Sequence, residues 1–210
     1  LEPEHVRVIT VVYTSALLPL VLIPILAYRG IVPSWVPRVY VATFLACAVG
    51  WELWFTYGWW DGDPVHVRRA ADLNAAIPTQ LNWVLNSLAD AGAIALFGVW
   101  LIWRSHGRNS AVLRRWTWSA FGVLMFWFLF QNIYVEMFLY HDQLSEGKPL
   151  SWAPLAPTGP WWNPTLFTFR DRTITLQGQI PWLMMGPMFY YGLTRFLREH
   201  DSIGGDGTTP

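Results

Sequence analysis

Three carboxylic acids stand inside otherwise apolar runs of this chain: Glu52, Asp90 and Glu136. Glu52 is the only charged residue between Val39 and Gly58 and lies beside Trp51 and Trp54. Asp90 closes the series Asn82, Asn86, Asp90, whose regular spacing puts the three side chains on one helical face. Asn132, Glu136 and Tyr140 repeat that pattern, and Gln177 and Gln179 open the last apolar run. An acid near the centre of a bilayer costs about 2.5–3.5 kcal/mol, so its presence there points to function. A carboxyl withdrawn from water favours its neutral form, which can donate a proton. Indole faces attract cations, and Trp51, Trp54, Trp83 and Trp182 fall within a turn or two of the polar residues. Proton-donating acids among tryptophans suit a reaction that makes and shelters a carbocation.

Positioning these groups requires helices in a membrane. The 210 residues are 53% hydrophobic and only 13% charged, and long apolar runs recur, so an ordinary soluble domain is excluded. The runs predict five transmembrane helices: Val8–Tyr28, Val39–Gly58, Gln80–Trp103, Trp116–Tyr140 and Leu176–Leu197. Pro19 and Pro24 inside the first are tolerated in membrane helices. The expected fold is all-α, one five-helix transmembrane bundle over residues 1–203 with a disordered tail at 204–210. Between the fourth and fifth helices, His141–Thr175 is rich in proline and tryptophan, including Trp152, Trp161 and Trp162, and reads as an ordered lid.

The arginines at Arg29 and Arg38, in the Arg104–Arg115 connection and at Arg195 and Arg198 outnumber the basic residues opposite. That favours the N-terminus outside and the C-terminus in the cytoplasm. Glu52, Asp90, Glu136 and Gln179 then share one depth, in the half of the membrane away from these arginines. Three acids and several amides at one depth imply a polar cavity, because leaving them unpaired in lipid is costly. Leu1 in place of methionine suggests a trimmed start.

Other classes of chemistry find little support. With 14 basic and 14 acidic residues there is no basic face for nucleic acid. Cys47 stands alone, which rules out an internal disulfide or a cysteine metal cluster. No glycine-rich phosphate loop or nucleophile elbow occurs. Asp61, Asp63 and Asp72 are spaced like a diphosphate–magnesium cluster, but Arg68 and Arg69 between them favour a solvated loop. No metal or organic cofactor is implied. The expected partners are a hydrophobic isoprenoid or sterol-like small molecule and membrane lipids; a homo-oligomer stays open.

Four short matches, in chain order, make the second to fifth spans resemble the emopamil-binding-protein-like (EXPERA) membrane proteins, which include the sterol Δ8–Δ7 isomerases. The second span has Glu-x-Trp-Phe as Glu52, Trp54 and Phe55. The third has Asp90 eight residues before Gly98, where the family has Glu. The fourth has Ile133, Tyr134 and Glu136 as Ile-Tyr-x-acid, and the fifth has Gln179 three residues before Trp182, where the family has Asn. The resemblance implies that two acids and a tryptophan, here Glu52, Asp90 and Trp182, protonate an alkene and shield the cation. The family's histidine one turn before the second-span Glu is Ala48 here.

The chain also looks like the small membrane-bound terpene cyclases of actinobacterial and fungal meroterpenoid pathways, which carry a Trp-Glu pair, here Trp51-Glu52. Fungal members are usually longer and have a late acid; the fifth span here has none, so Asp90 or Glu136 takes that part. The expectation is a terpene cyclase in which Asp90 donates the proton, Asn86 orients it, and Glu52 and Glu136 serve as base or counter-charge. The donor role is exchangeable with Glu52. Trp51, Trp54, Trp83, Asn132, Tyr134, Gln179 and Trp182 complete the pocket. A sterol double-bond isomerase, and a non-catalytic lipid or sterol binder or small transporter, are the alternatives.

Overall fold

The computed structural model describes residues 2–58, 63–143, 163–169 and 172–204, with the backbone alone at 140–143, 172 and 200–204. Helix α1 (Pro3–Tyr28) starts on a proline, whose missing N–H costs nothing in a first turn. It leaves Leu17, Leu18, Val21, Leu22 and Ile25 exposed, an apolar surface suited to hydrocarbon. Helices α2 (Val36–Val49) and α3 (Trp51–Tyr57) meet at Gly50 with a bend of 45°. Only glycine fits that junction, because a Cβ would lie 2.7 Å from the Ala46 carbonyl oxygen.

Two short helices, α4 (Val65–Arg68) and α5 (Ala71–Ala76), lead to α6 (Thr79–Ala89). This continues through a π-helical segment, Asp90–Leu96, into α7 (Phe97–Ser105). A 3₁₀ turn at Ser110–Leu113 precedes α8 (Trp118–Gln143). Strands β1 (Thr165–Phe169) and β2 (Arg172–Thr175) pair antiparallel, and α9 (Leu176–Gly204) follows directly.

The chain is thus mostly helical but not all-α. The hairpin corrects that expectation, and its signal was compositional: after Pro164, Thr165 to Phe169 holds only threonine, leucine and phenylalanine, and threonine and aromatic residues are enriched in strands. Residues 144–162, with Trp152, Trp161, Trp162 and most of the expected lid, lie outside the described residues.

Three helical stretches are long and apolar enough to cross a membrane: Pro3–Tyr28, Thr79–Ser105 and Trp118–Leu139. The bent α2–α3 pair makes a fourth if it counts as one span. Helix α9 has the length, at 29 residues, but its glutamines, prolines and tyrosines hold its hydropathy below that of the others. By length and composition the five expected spans therefore reduce to three or four.

Two apolar clusters hold the helices together. One gathers Ile102, Leu124, Phe128, Trp182 and Tyr190 from α7, α8 and α9. The other joins Ala16, Tyr40, Leu85, Leu88 and Ala91 from α1, α2 and the long middle helix. Trp51 packs against the first cluster, while Leu85 and Leu88, on either side of Asn86, belong to the second. The polar residues lie at this junction.

Candidate functional site

The polar face of α6 meets α3 in antiparallel order. Asn82 donates from Nδ2 to Thr56 Oγ1 at 3.3 Å, Asn86 stands beside the Glu52 carboxyl, and Trp51 donates from Nε1 to Asp90 Oδ2 at 2.9 Å. The bend at Gly50 makes this possible by turning Trp51 and Glu52 onto the neighbouring helix. The pairing differs from the expectation that Asn86 orients Asp90. Side chains four residues apart lie one above the other, and here each reaches across to the facing helix.

Glu52 and Asp90 are both buried. Glu52 Oε2 has no hydrogen-bond partner among the described residues. Such an orphan costs about 1–3 kcal/mol, and in a native site it calls for an explanation. Asp90 stands where the α-helix passes into the π-helical segment, a distortion that gathers at functional sites. Gly92 within that segment admits Pro19 of α1: a Cβ there would fall 2.3 Å from the Pro19 Cβ.

A second polar group lies between α8 and α9. Asn132 Nδ2 donates to Gln179 Oε1 at 2.8 Å, to the Gly178 carbonyl at 3.0 Å and to Glu136 Oε1 at 3.3 Å. Gln179 Nε2 donates to Glu136 Oε2 at 2.8 Å, and Trp182 Nε1 to Asn132 Oδ1 at 3.1 Å. Glu136 is 1% exposed and Gln179 2%, so these bonds are made away from solvent, where they count most.

The two groups are joined by indoles. The Trp51 and Trp182 rings lie 5.5 Å apart between centroids, and Phe128 sets its edge toward Trp182 at 5.0 Å. Asp90, Trp51, Trp182, Asn132 and Glu136 thus form one chain of contacts, acid at each end and two indoles between. Stacked or tilted rings carry negative charge on their faces, so a cation beside this pair meets aromatic surface and carboxyls together.

The connection between α3 and α6, expected to be a solvated loop, is instead tied down by two arginines. Arg68 and Arg69 are both buried. Arg68 donates from Nε to the Asp63 carbonyl at 2.8 Å and from Nη2 to the Phe55 carbonyl at 2.5 Å. The Phe55 contact places a cation at the C-terminal end of α3, where the helix dipole favours it. Arg69 donates from Nε to Asn74 Oδ1 at 3.1 Å, from Nη1 to Asn82 Oδ1 at 2.8 Å and from Nη2 to the Ile77 carbonyl. Burial, and then the neighbouring Arg68 charge, pushes Arg69 down to about 10, so it stays charged at neutral pH. Spacing could not reveal this, because the acceptors are mostly backbone carbonyls made available by the turn itself. Of the three aspartates in this region, Asp63 is exposed, Asp72 binds His5 Nδ1 at 2.5 Å, and Asp61 lies outside the described residues.

Two expected pocket residues are elsewhere. Trp54 and Tyr134 are 38% and 50% exposed, and Tyr134 stacks among Phe130 and Phe138 on the outer face of α8. Each sits two residues from an inward acid, and two residues carry a side chain to the far side of a helix. Trp83 donates from Nε1 to the Ala48 carbonyl at 2.7 Å, one of the last in α2 and so without a partner inside its helix. It secures the bend. No family model matches the chain, and no curated protein or solved structure matches it.

Proposed function

We propose that this chain is a five-span membrane terpene cyclase that protonates an alkene of a prenylated substrate and steers the carbocation to a cyclised product. The carrying observation is the contact chain from Asp90 through Trp51 and Trp182 to Asn132 and Glu136, beside the unpartnered oxygen of Glu52. Helix α9 is the fifth span in this reading. It is polar by composition, yet Gln179 and Trp182 turn inward onto Glu136 and Asn132, so lipid does not meet them. The N-terminus lies outside and the C-terminus in the cytoplasm.

In the first step the acid O–H proton passes to an alkene carbon. A C–H bond forms, the π bond is consumed, and a tertiary cation and a carboxylate remain. A second alkene attacks the cation to close a ring, and loss of a neighbouring proton to a carboxylate ends the sequence and restores the acid. An unactivated alkene needs a neutral donor and a site that keeps water from the cation. Asp90, held by Trp51, is the donor, exchangeable with Glu52, which lies beside Asn86. Glu136 and the remaining carboxylate supply base and counter-charge, and the faces of Trp51 and Trp182 shelter the cation.

The test is product analysis with a prenylated aromatic substrate and, separately, a Δ8-sterol, using wild type, Asp90→Asn and Glu52→Gln. The expected result is a cyclised product from the first substrate and a loss of at least about 100-fold in each variant, which still folds and inserts. Near-wild-type rates in both variants refute acid initiation. Turnover of the sterol alone makes the protein an isomerase, and binding without turnover of either makes it a lipid binder or transporter.

A further inference from the structure

Away from the polar site, α2 and the later part of α9 stand apart and leave a groove of about 360 Å³. Val39, Ala42 and Ala46 form one wall, and Phe189, Gly192 and Phe196 the other. The space exists because alanine and glycine face it. A Cβ placed on Gly192 would meet no atom within 4 Å. Arg38 lies at the α2 N-terminal end of the groove, exposed, with no hydrogen bond or ion pair among the described residues. From Arg38 to Ala46 the groove follows α2 for about 12 Å, at the helical rise of 1.5 Å per residue. Arg29, Arg195 and Arg198 belong to the same end of the molecule in the arrangement proposed above, and Arg195 already holds Glu199 at 2.8 Å.

We propose that this groove binds an anionic phospholipid, one acyl chain lying along Ala42, Ala46 and Gly192 and its phosphate resting on Arg38. The inference rests on the membrane placement and not on the catalytic reading. Apolar walls give water few partners, so hydrocarbon is the natural filling. A guanidinium recognises phosphate oxygens by paired N–H donors, and basic pockets between membrane helices take anionic headgroups. A zwitterionic lipid would fill the walls equally well and carries the same phosphate, but its own ammonium already balances that phosphate and repels Arg38, so a headgroup of net negative charge is favoured.

The experiment is native mass spectrometry of the delipidated protein titrated with phosphatidylglycerol or phosphatidylcholine of identical chains. Wild type is expected to hold one phosphatidylglycerol at least tenfold more tightly than phosphatidylcholine, with inorganic phosphate failing to compete. Arg38→Gln should bring the two lipids to equal, weaker binding. Gly192→Leu places a side chain in the open space and exchanges glycine for a better helix former, so the fold is retained. It should abolish the tight phosphatidylglycerol site and weaken phosphatidylcholine further. Equal affinity for the two lipids in wild type, or unchanged binding in Gly192→Leu, overturns the proposal. Release of the protein from membranes by an alkaline carbonate wash refutes the membrane placement and this site with it. Failure to cyclise a substrate leaves the site standing.

Discussion

Replacing Trp51 by Phe tests the geometry of the site most directly. The exchange keeps a ring opposite Trp182, now 5.5 Å away, and deletes the N–H that reaches Asp90 Oδ2 at 2.9 Å. Asp90 is 8% exposed, and no other hydrogen bond to its side chain occurs among the described residues. A buried acceptor left without its donor costs about 1–3 kcal/mol. The smaller ring adds a packing loss that does not depend on Asp90. In an Asp90→Ala background the bond is already gone, so Trp51→Phe should then cost only that packing term. The double-mutant cycle should therefore return a coupling of about 1–2 kcal/mol, within the range for directly bonded neighbours. If the bond also holds the proton donor in place, turnover of Trp51→Phe falls by about 5- to 150-fold, at tenfold for each 1.4 kcal/mol. The assay is denaturant unfolding of the four proteins in one detergent, with turnover measured on the same preparations. Additivity within about 0.5 kcal/mol refutes the bond and removes the link between the two polar groups.

Three further outcomes are expected. A lipophilic tertiary amine, protonated, should bind more tightly than a hydrocarbon of the same shape; Trp182→Ala should weaken the amine by about 0.5–2 kcal/mol more than the hydrocarbon, and equal losses by titration would leave Trp182 a packing residue. Gly92→Ala should destabilise the protein by about 1–3 kcal/mol, because the new methyl meets the rigid Pro19 ring at 2.3 Å and 2.6 Å. Gly186→Ala should be milder, since the obstructing Met125 side chain can move; equal melting temperatures for the two variants would contradict this. The bond from His5 holds the Asp72 carboxyl below its ordinary value. With the folded value depressed, this contribution is complete above about pH 4, the unfolded value, and is lost as pH falls through the folded one. Asp72→Asn should thus lower the melting temperature at pH 6 and flatten its decline below pH 4, and parallel curves for the two proteins would show the pair to be inert.

Much of this architecture was legible because it is local. Long apolar runs mark α1, the α6–α7 helix and α8 whatever they pack against, since any segment that must satisfy its backbone away from water is helical. The polar face of Asn82, Asn86 and Asp90 was readable for the same reason: helical period depends only on spacing along the chain. What those residues touch was not. Asn86 meets Glu52 and Asp90 meets Trp51 because the chain bends at Gly50 and lays α3 along α6, a contact between segments that no spacing encodes. The π-helical segment belongs to the same class, lying where Gly92 receives Pro19 from α1. The inward placement of Trp51 and outward placement of Trp54 followed from α3 being a short helix with one face against its neighbour. Arg68 and Arg69 were misread for a related reason: charge on a connection predicts exposure unless the fold supplies acceptors, and here the carbonyls of Phe55, Asp63 and Ile77 do so. The sequence by itself determined the long apolar helices α1, α6–α7 and α8 and the polar faces they carry. Only the tertiary structure decided which acid faces which indole, because that depends on how helices distant in the chain are brought together.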